Sequence, residues 1–132
     1  MYLPFKSIHN IIGMIVLLFV LIALITFIVN SLRRKPVSKS AKIIALIALI
    51  VTHLQILIGF VLYFLSPLGV KNFSGETMKH TVSRFYAVEH PVGMILGAVL
   101  ITIGYRALKN TKLSEKGKYT RGFIFYLLGF VI

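Results

Sequence analysis

The sequence predicts an all-α integral membrane protein, a four-helix bundle running up-down-up-down as a single domain over residues 1–132, and three observations carry that reading. Of the 132 residues, 58% are hydrophobic and 14% charged, far too greasy for a soluble domain of ordinary composition. The apolar residues fall in long runs, three of them approaching or exceeding the roughly 20 residues that cross a bilayer. The cations behind the formal charge of +12 gather mainly in two short clusters between those runs, so they report topology rather than a nucleic-acid-binding face.

The first helix is expected at about 4–30. Pro4 suits a first turn, and Ile11 to Val29 is nearly unbroken apolar sequence with no small-residue cleavage site before Arg33, which makes it a retained anchor rather than a signal peptide. Arg33, Arg34, Lys35, Lys39 and Lys42 follow without an acid, and Ser38 or Ser40 can cap the next helix. The second helix, about 41–65, carries Thr52, His53 and Gln55 near its centre and ends at Ser66-Pro67. The third, about 76–108, takes Ser74 as its cap and bears Glu89-His90-Pro91. A second basic loop holds Arg106, Lys109, Lys112, Lys116, Lys118 and Arg121 against Glu115 alone. By the positive-inside rule both basic loops, 31–42 and 106–121, face the cytoplasm of a cell with this chain in its inner membrane, and the N-terminus lies outside. The fourth helix is expected only at 122–132, about half a membrane span, and so as an incomplete one.

No cysteine is present, which excludes disulfides, iron–sulfur clusters, thiolate metal sites and covalent CxxCH heme attachment. No Ser-His-Asp arrangement, HExxH motif or phosphate-cradling loop suggests hydrolytic chemistry. Ionisable groups inside apolar helices mark function by default, which directs attention to the histidines. At about 1.5 Å per helical residue, His53, His90 and His9 stand roughly 18, 25 and 33 Å above the cytoplasmic edge, and His80 lies beyond the apolar layer. Pro91 removes a backbone donor and frees the carbonyl of Ala87, so His90 also has a purely structural reading, as part of a repaired kink. His9 alone reads as an interfacial residue, and His53 can be satisfied by a neighbouring helix.

Together the three suit heme b, a flat apolar disc that takes two axial imidazoles, small residues against its face and cations for its propionates. Gly13 lies one turn from His9, Gly93 and Gly97 follow His90, and Lys6, His80 and Arg84 lie toward the outer surface. Glu89 can orient an imidazole or pair with Arg84 or Lys6. The axial pair is His9 with His90 or His53 with His90; the remaining histidine then has another role, such as proton transfer or part of a quinone pocket. A zinc or copper site from His53, Glu89 and His90 is disfavoured, because consecutive helical residues point about 100° apart.

The early His9 in Leu3-Pro-Phe-Lys-Ser-Ile-His9, the string His53-Leu-Gln55-Ile-Leu-Ile-Gly59-Phe-Val-Leu-Tyr63, and Arg84-Phe-Tyr-Ala-Val-Glu89-His90-Pro resemble short four-helix bacterial membrane proteins labelled cytochrome b. More distantly, Ser7-Ile-His9, Gln55 through Gly59 and Glu89-His90 are similar to motifs in one half of heme A synthase. That likeness implies His9 and His90 as the axial pair. The chain has only one such half, adds His53 and lacks an acid just ahead of His9, so what carries over is heme binding rather than heme A synthesis. The expectation is a membrane electron carrier working with quinol, a larger membrane complex or a second copy of itself. A cofactor-free accessory subunit, packing through Gly93 and Gly97, is the alternative from a different class.

Overall fold

The computed structural model describes all 132 residues, and its regular structure is entirely helical. Four main helices are present: α1 (Tyr2–Leu32), α2 (Lys39–Leu65), α3 (Thr81–Leu108) and α4 (Glu115–Val131). The first three are long and apolar enough to cross a membrane. Their outward faces agree, since Leu57 and Phe64 on α2 are 64% and 59% exposed and Leu96 on α3 is 51% exposed, a surface that only lipid or another apolar partner covers at low cost.

Local chemistry explains the boundaries. Ser38 caps α2, accepting a hydrogen bond from the Ala41 N–H at 3.1 Å. At the end of α1, the Arg34 N–H donates to the Ser31 carbonyl (3.1 Å) and the Lys35 N–H to the Asn30 carbonyl (2.9 Å), with Arg34 itself in the left-handed region at φ 52°. This is a Schellman closure carrying arginine where glycine is usual. Two boundaries differ from the sequence reading. Ser74 caps a short 3₁₀ turn, Thr77–Lys79, by accepting from the Thr77 N–H at 3.1 Å, and α3 starts only at Thr81. The fourth helix begins at Glu115 rather than Gly122, because Ser114 accepts from the Gly117 N–H at 3.0 Å and the Glu115–Lys118 pair supports the first turn. Lys116, Lys118 and Arg121 thus belong to the polar first turns of a helix and not to the loop.

The helices pack as a ring, α1 against α2 and α4, and α3 against α2 and α4. The core lies toward the two basic loops. Phe27, Tyr119 and Tyr126 are fully buried there beside the small stripe Ala41, Ala45 and Ala48 of α2. The small residues let neighbouring helices approach, which matters in lipid, where packing rather than water exclusion holds helices together. Both tyrosines satisfy their hydroxyls across the bundle: Tyr126 donates to the Ala45 carbonyl at 2.8 Å and Tyr119 to the Pro36 carbonyl at 3.1 Å. On another side of the ring, α3 and α4 cross at glycines, with a Cβ at Gly129 falling 3.0 Å from the Gly97 carbonyl oxygen.

The two basic loops meet through one carboxylate. Glu115 accepts from the Val37 N–H at 2.6 Å and from Lys118 at 2.8 Å. The Lys118 ammonium and the Val37 amide hold its carboxyl below the usual range. A carboxylate lowered in the folded state contributes stability above its unfolded pKa and loses it as pH falls through its folded pKa. Wild type is therefore expected to melt above Glu115→Gln at neutral pH, with the gap closing below about pH 4. A pH series of thermal melts checks this, and a gap independent of pH would refute it.

Candidate functional site

At the end away from the basic loops, α1, α2 and α3 separate around a cavity of about 720 Å³, within the range of about 300–1,000 Å³ typical of small-molecule sites. Lys6 and His9 enter it from α1, Gln55, Gly59 and Tyr63 from α2, and Phe85, His90 and Met94 from the α3 side, under Phe73 of the connecting loop.

The α1–α2 crossing positions His9 by exchange of side chains over glycines. A Cβ at Gly59 would lie 3.2 Å from His9 Cε1, and one at Gly13 would lie 3.1 Å from Gln55 Nε2. Each helix thus lays a polar side chain on the bare backbone of the other. Gln55 and Gly59 are one turn apart on α2, so the same face carries both the seat of the imidazole and its clamp. Gln55 Nε2–H donates to the His9 carbonyl oxygen at 3.0 Å and stands 3.4 Å from His9 Nε2. His9 Nδ1 and Gln55 Oε1 are buried without a hydrogen-bond partner. Buried polar atoms are nearly always paired in the protein's working state.

His90 follows a π-helical turn, Phe85–Glu89, set into α3. The π turn and Pro91 belong together. Proline supplies no N–H to the Ala87 carbonyl, and the His90 N–H instead reaches the Phe85 carbonyl, five residues back. Tyr63 of α2 takes up the freed group, its hydroxyl donating to the Ala87 carbonyl at 2.7 Å. Widening the turn also brings residues five apart onto one face, and Arg84 Nε pairs with Glu89 Oε1 at 2.6 Å. The result places the His90 ring 6.1 Å from the His9 ring, centroid to centroid, at an interplanar angle of 87°, with Phe85 5.5 Å from His90.

Tyr63→Phe is expected to cost about 1–3 kcal/mol, because it orphans a carbonyl in an apolar setting. In a Pro91→Ala background the cost should largely vanish, since residue 91 regains its N–H. A double-mutant cycle of thermal unfolding in detergent checks this, and additive effects would rule the bond out as the repair of the kink.

The other predicted site residues are distributed as follows. Lys6 lines the cavity. His53 faces away, its Nδ1–H donating to the Leu49 carbonyl of its own helix at 2.8 Å, with Thr102 Oγ1 of α3 3.5 Å from its Nε2. Glu89 is engaged by Arg84 rather than by an imidazole, and Arg84 Nη1 also donates to the Met78 carbonyl at 3.2 Å. His80 is exposed and sits 3.2 Å from Glu76. Gly93 and Gly97 serve α4 instead of the cavity: a Cβ at Gly93 would meet Ile132, and one at Gly97 the Gly129 carbonyl, because their face of α3 turns to the fourth helix. No three His, Asp or Glu side chains group together as they would around a metal ion, and His53 stands outside the cavity that His9 and His90 share.

No protein-family model, curated protein or solved structure matches the chain. Gln55 and Gly59 stand out in the sequence only as part of a resembling motif; their roles as clamp and seat of His9 come from the α1–α2 crossing. Their one-turn spacing opposite an early histidine is the signal that reveals them.

Proposed function

We propose that the chain is a bis-histidine heme b protein of the inner membrane, with His9 and His90 as the axial pair, and that it carries single electrons. The observation that supports this most is the 6.1 Å separation of the two imidazole centroids. His9 and His90, brought to one cavity from α1 and α3, would hold the heme iron through one ring nitrogen each. The unpartnered His9 Nδ1 and Gln55 Oε1 also fit a site whose polar atoms meet a bound group. The cavity is mostly apolar, as a porphyrin requires, and Lys6 at its wall offers a cation for propionate.

When bound, heme b supplies a one-electron couple that no side chain here provides. The chain's own part is to hold and insulate. Gln55 and Gly59 fix His9 on α2, while the π turn, Pro91 and Tyr63 fix His90. With both histidines engaged, the group would supply electron transfer rather than oxygen chemistry. In this reading the helices alternate up and down across the bilayer, the basic loops are cytoplasmic and the cavity lies toward the outer face. Electron donors and acceptors, quinol or a larger membrane complex among them, reach it there, and a second copy of the chain is a further partner.

The test is the absorption spectrum of protein purified in mild detergent, oxidised and dithionite-reduced, with a pyridine hemochrome assay. A sharp reduced α-band is expected. A colourless protein after heme supplementation during expression would exclude the reading and leave a cofactor-free accessory subunit. Gly93 and Gly97 would not be that subunit's docking face, since α4 already covers them.

A further inference from the structure

At the basic end of the bundle a second cavity of about 520 Å³ opens between the last turn of α1, the loop after it and the first turn of α4. Its walls are Ser31, Leu32, Arg34, Lys35, Glu115 and Lys116. We propose that this cleft binds the phosphate headgroup of an anionic phospholipid.

Charge is the first argument. Eleven of the chain's fifteen Lys and Arg lie in residues 33–42 and 106–121, against one acid, Glu115. That acid is already engaged, Oε2 by the Val37 N–H and Oε1 by Lys118. Arg34, Lys35 and Lys116 take part in none of the structure's four ion pairs. Three cations therefore line a common space without an ion-pair partner. Backbone geometry is the second argument. The Schellman hydrogen bonds hold Arg34 and Lys35 at a defined corner, so the cleft is built rather than improvised from a loose loop.

The third argument separates a lipid from a free anion. Leu32 in the cleft wall is 77% exposed, and Ile28 and Ile25, one and two turns back on the same face of α1, are 44% and 54% exposed. The basic cleft thus continues directly into an apolar strip. Inorganic phosphate has no use for that strip, whereas a phospholipid lays its acyl chains along it with its phosphate among the cations. The proposal rests on the membrane reading and is independent of heme.

The test titrates full-length protein in mild detergent with phosphatidylglycerol, phosphatidylcholine or inorganic phosphate, reading the thermal midpoint and retained lipid by native mass spectrometry. Wild type is compared with the triple variant Arg34→Gln, Lys35→Gln, Lys116→Gln and with a control, Lys71→Gln, Lys79→Gln, altered in the loop between α2 and α3. Phosphatidylglycerol is expected to bind and stabilise wild type and control alike, and to bind the triple variant about a hundredfold more weakly, about fivefold per cleft cation removed. If the triple variant fails to fold, Lys35→Gln alone carries the fivefold test. Equal binding by the variants, equal response to phosphatidylcholine, or an equal response to inorganic phosphate would overturn the proposal. So would wild type that stays dispersed without detergent, which would remove the membrane reading too. The heme band on the same samples keeps the two ideas apart, since lost lipid binding with an intact band tells against the cleft alone.

Discussion

Alanine at His9 or at His90 is expected to abolish the sharp reduced α-band, while His53→Ala leaves it intact. The two rings that share the cavity are 6.1 Å apart, and under the proposed reading both would hold the heme, so removing either would weaken or abolish its binding. His53 hydrogen-bonds the Leu49 carbonyl and stands beside Thr102, outside the cavity. Its loss should cost a small amount of stability and no colour. Spectra and heme-to-protein ratios of the three variants decide the matter. Loss of the band in His53→Ala with retention in His9→Ala would transfer the second ligand to α2 and refute the assignment. Gly59→Val should resemble His9→Ala spectroscopically while keeping the fold, because it fills the seat 3.2 Å from His9 Cε1.

Gly104→Val is expected to be the most damaging substitution away from the cavity, at about 3 kcal/mol, with thermal unfolding in detergent as the measurement. A Cβ at position 104 would fall 2.7 Å from Tyr126 Cδ2 and 3.0 Å from Phe125 Cβ. Neither neighbour can yield. Tyr126 is fully buried and tethered to the Ala45 carbonyl at 2.8 Å, and a Cβ moves only with its backbone. The helical gain of replacing glycine, about 1 kcal/mol, is too small to offset the clash. Gly93→Ala is the matched control. Its Cβ would meet only the Ile132 side chain at 3.4 Å, so it should be neutral or slightly stabilising. If Gly104→Val melts like wild type, the α3–α4 crossing is not the close one described.

The cavity and the core occupy opposite ends of the bundle, and this division links the two predictions. Alanines and tightly packed tyrosines close the end at the basic loops, while at the other end bulky and polar side chains, a π turn and a proline keep the helices apart. Packing defects such as Gly104→Val should therefore reduce heme retention only through global unfolding, whereas defects at Gly59 or His90 should reduce it directly.

Three apolar helices and their basic connections were legible in the residues, because hydropathy over about 20 residues and charge in loops are local properties that lipid and water read directly. The release of the Ala87 carbonyl was legible for the same reason: it follows from proline's missing N–H, whatever packs nearby. What a sequence could not rank was which partners those groups find. Tyr63 as the repair, Arg84 as the partner of Glu89, Gln55 and Gly59 as the clamp and seat of His9, and α4 rather than the cavity as the neighbour of Gly93 and Gly97 all depend on the rotation of one helix about another. That rotation shifts by a full residue at the π turn, and a bundle of nearly uniform apolar surface leaves it to packing of side chains far apart in the chain.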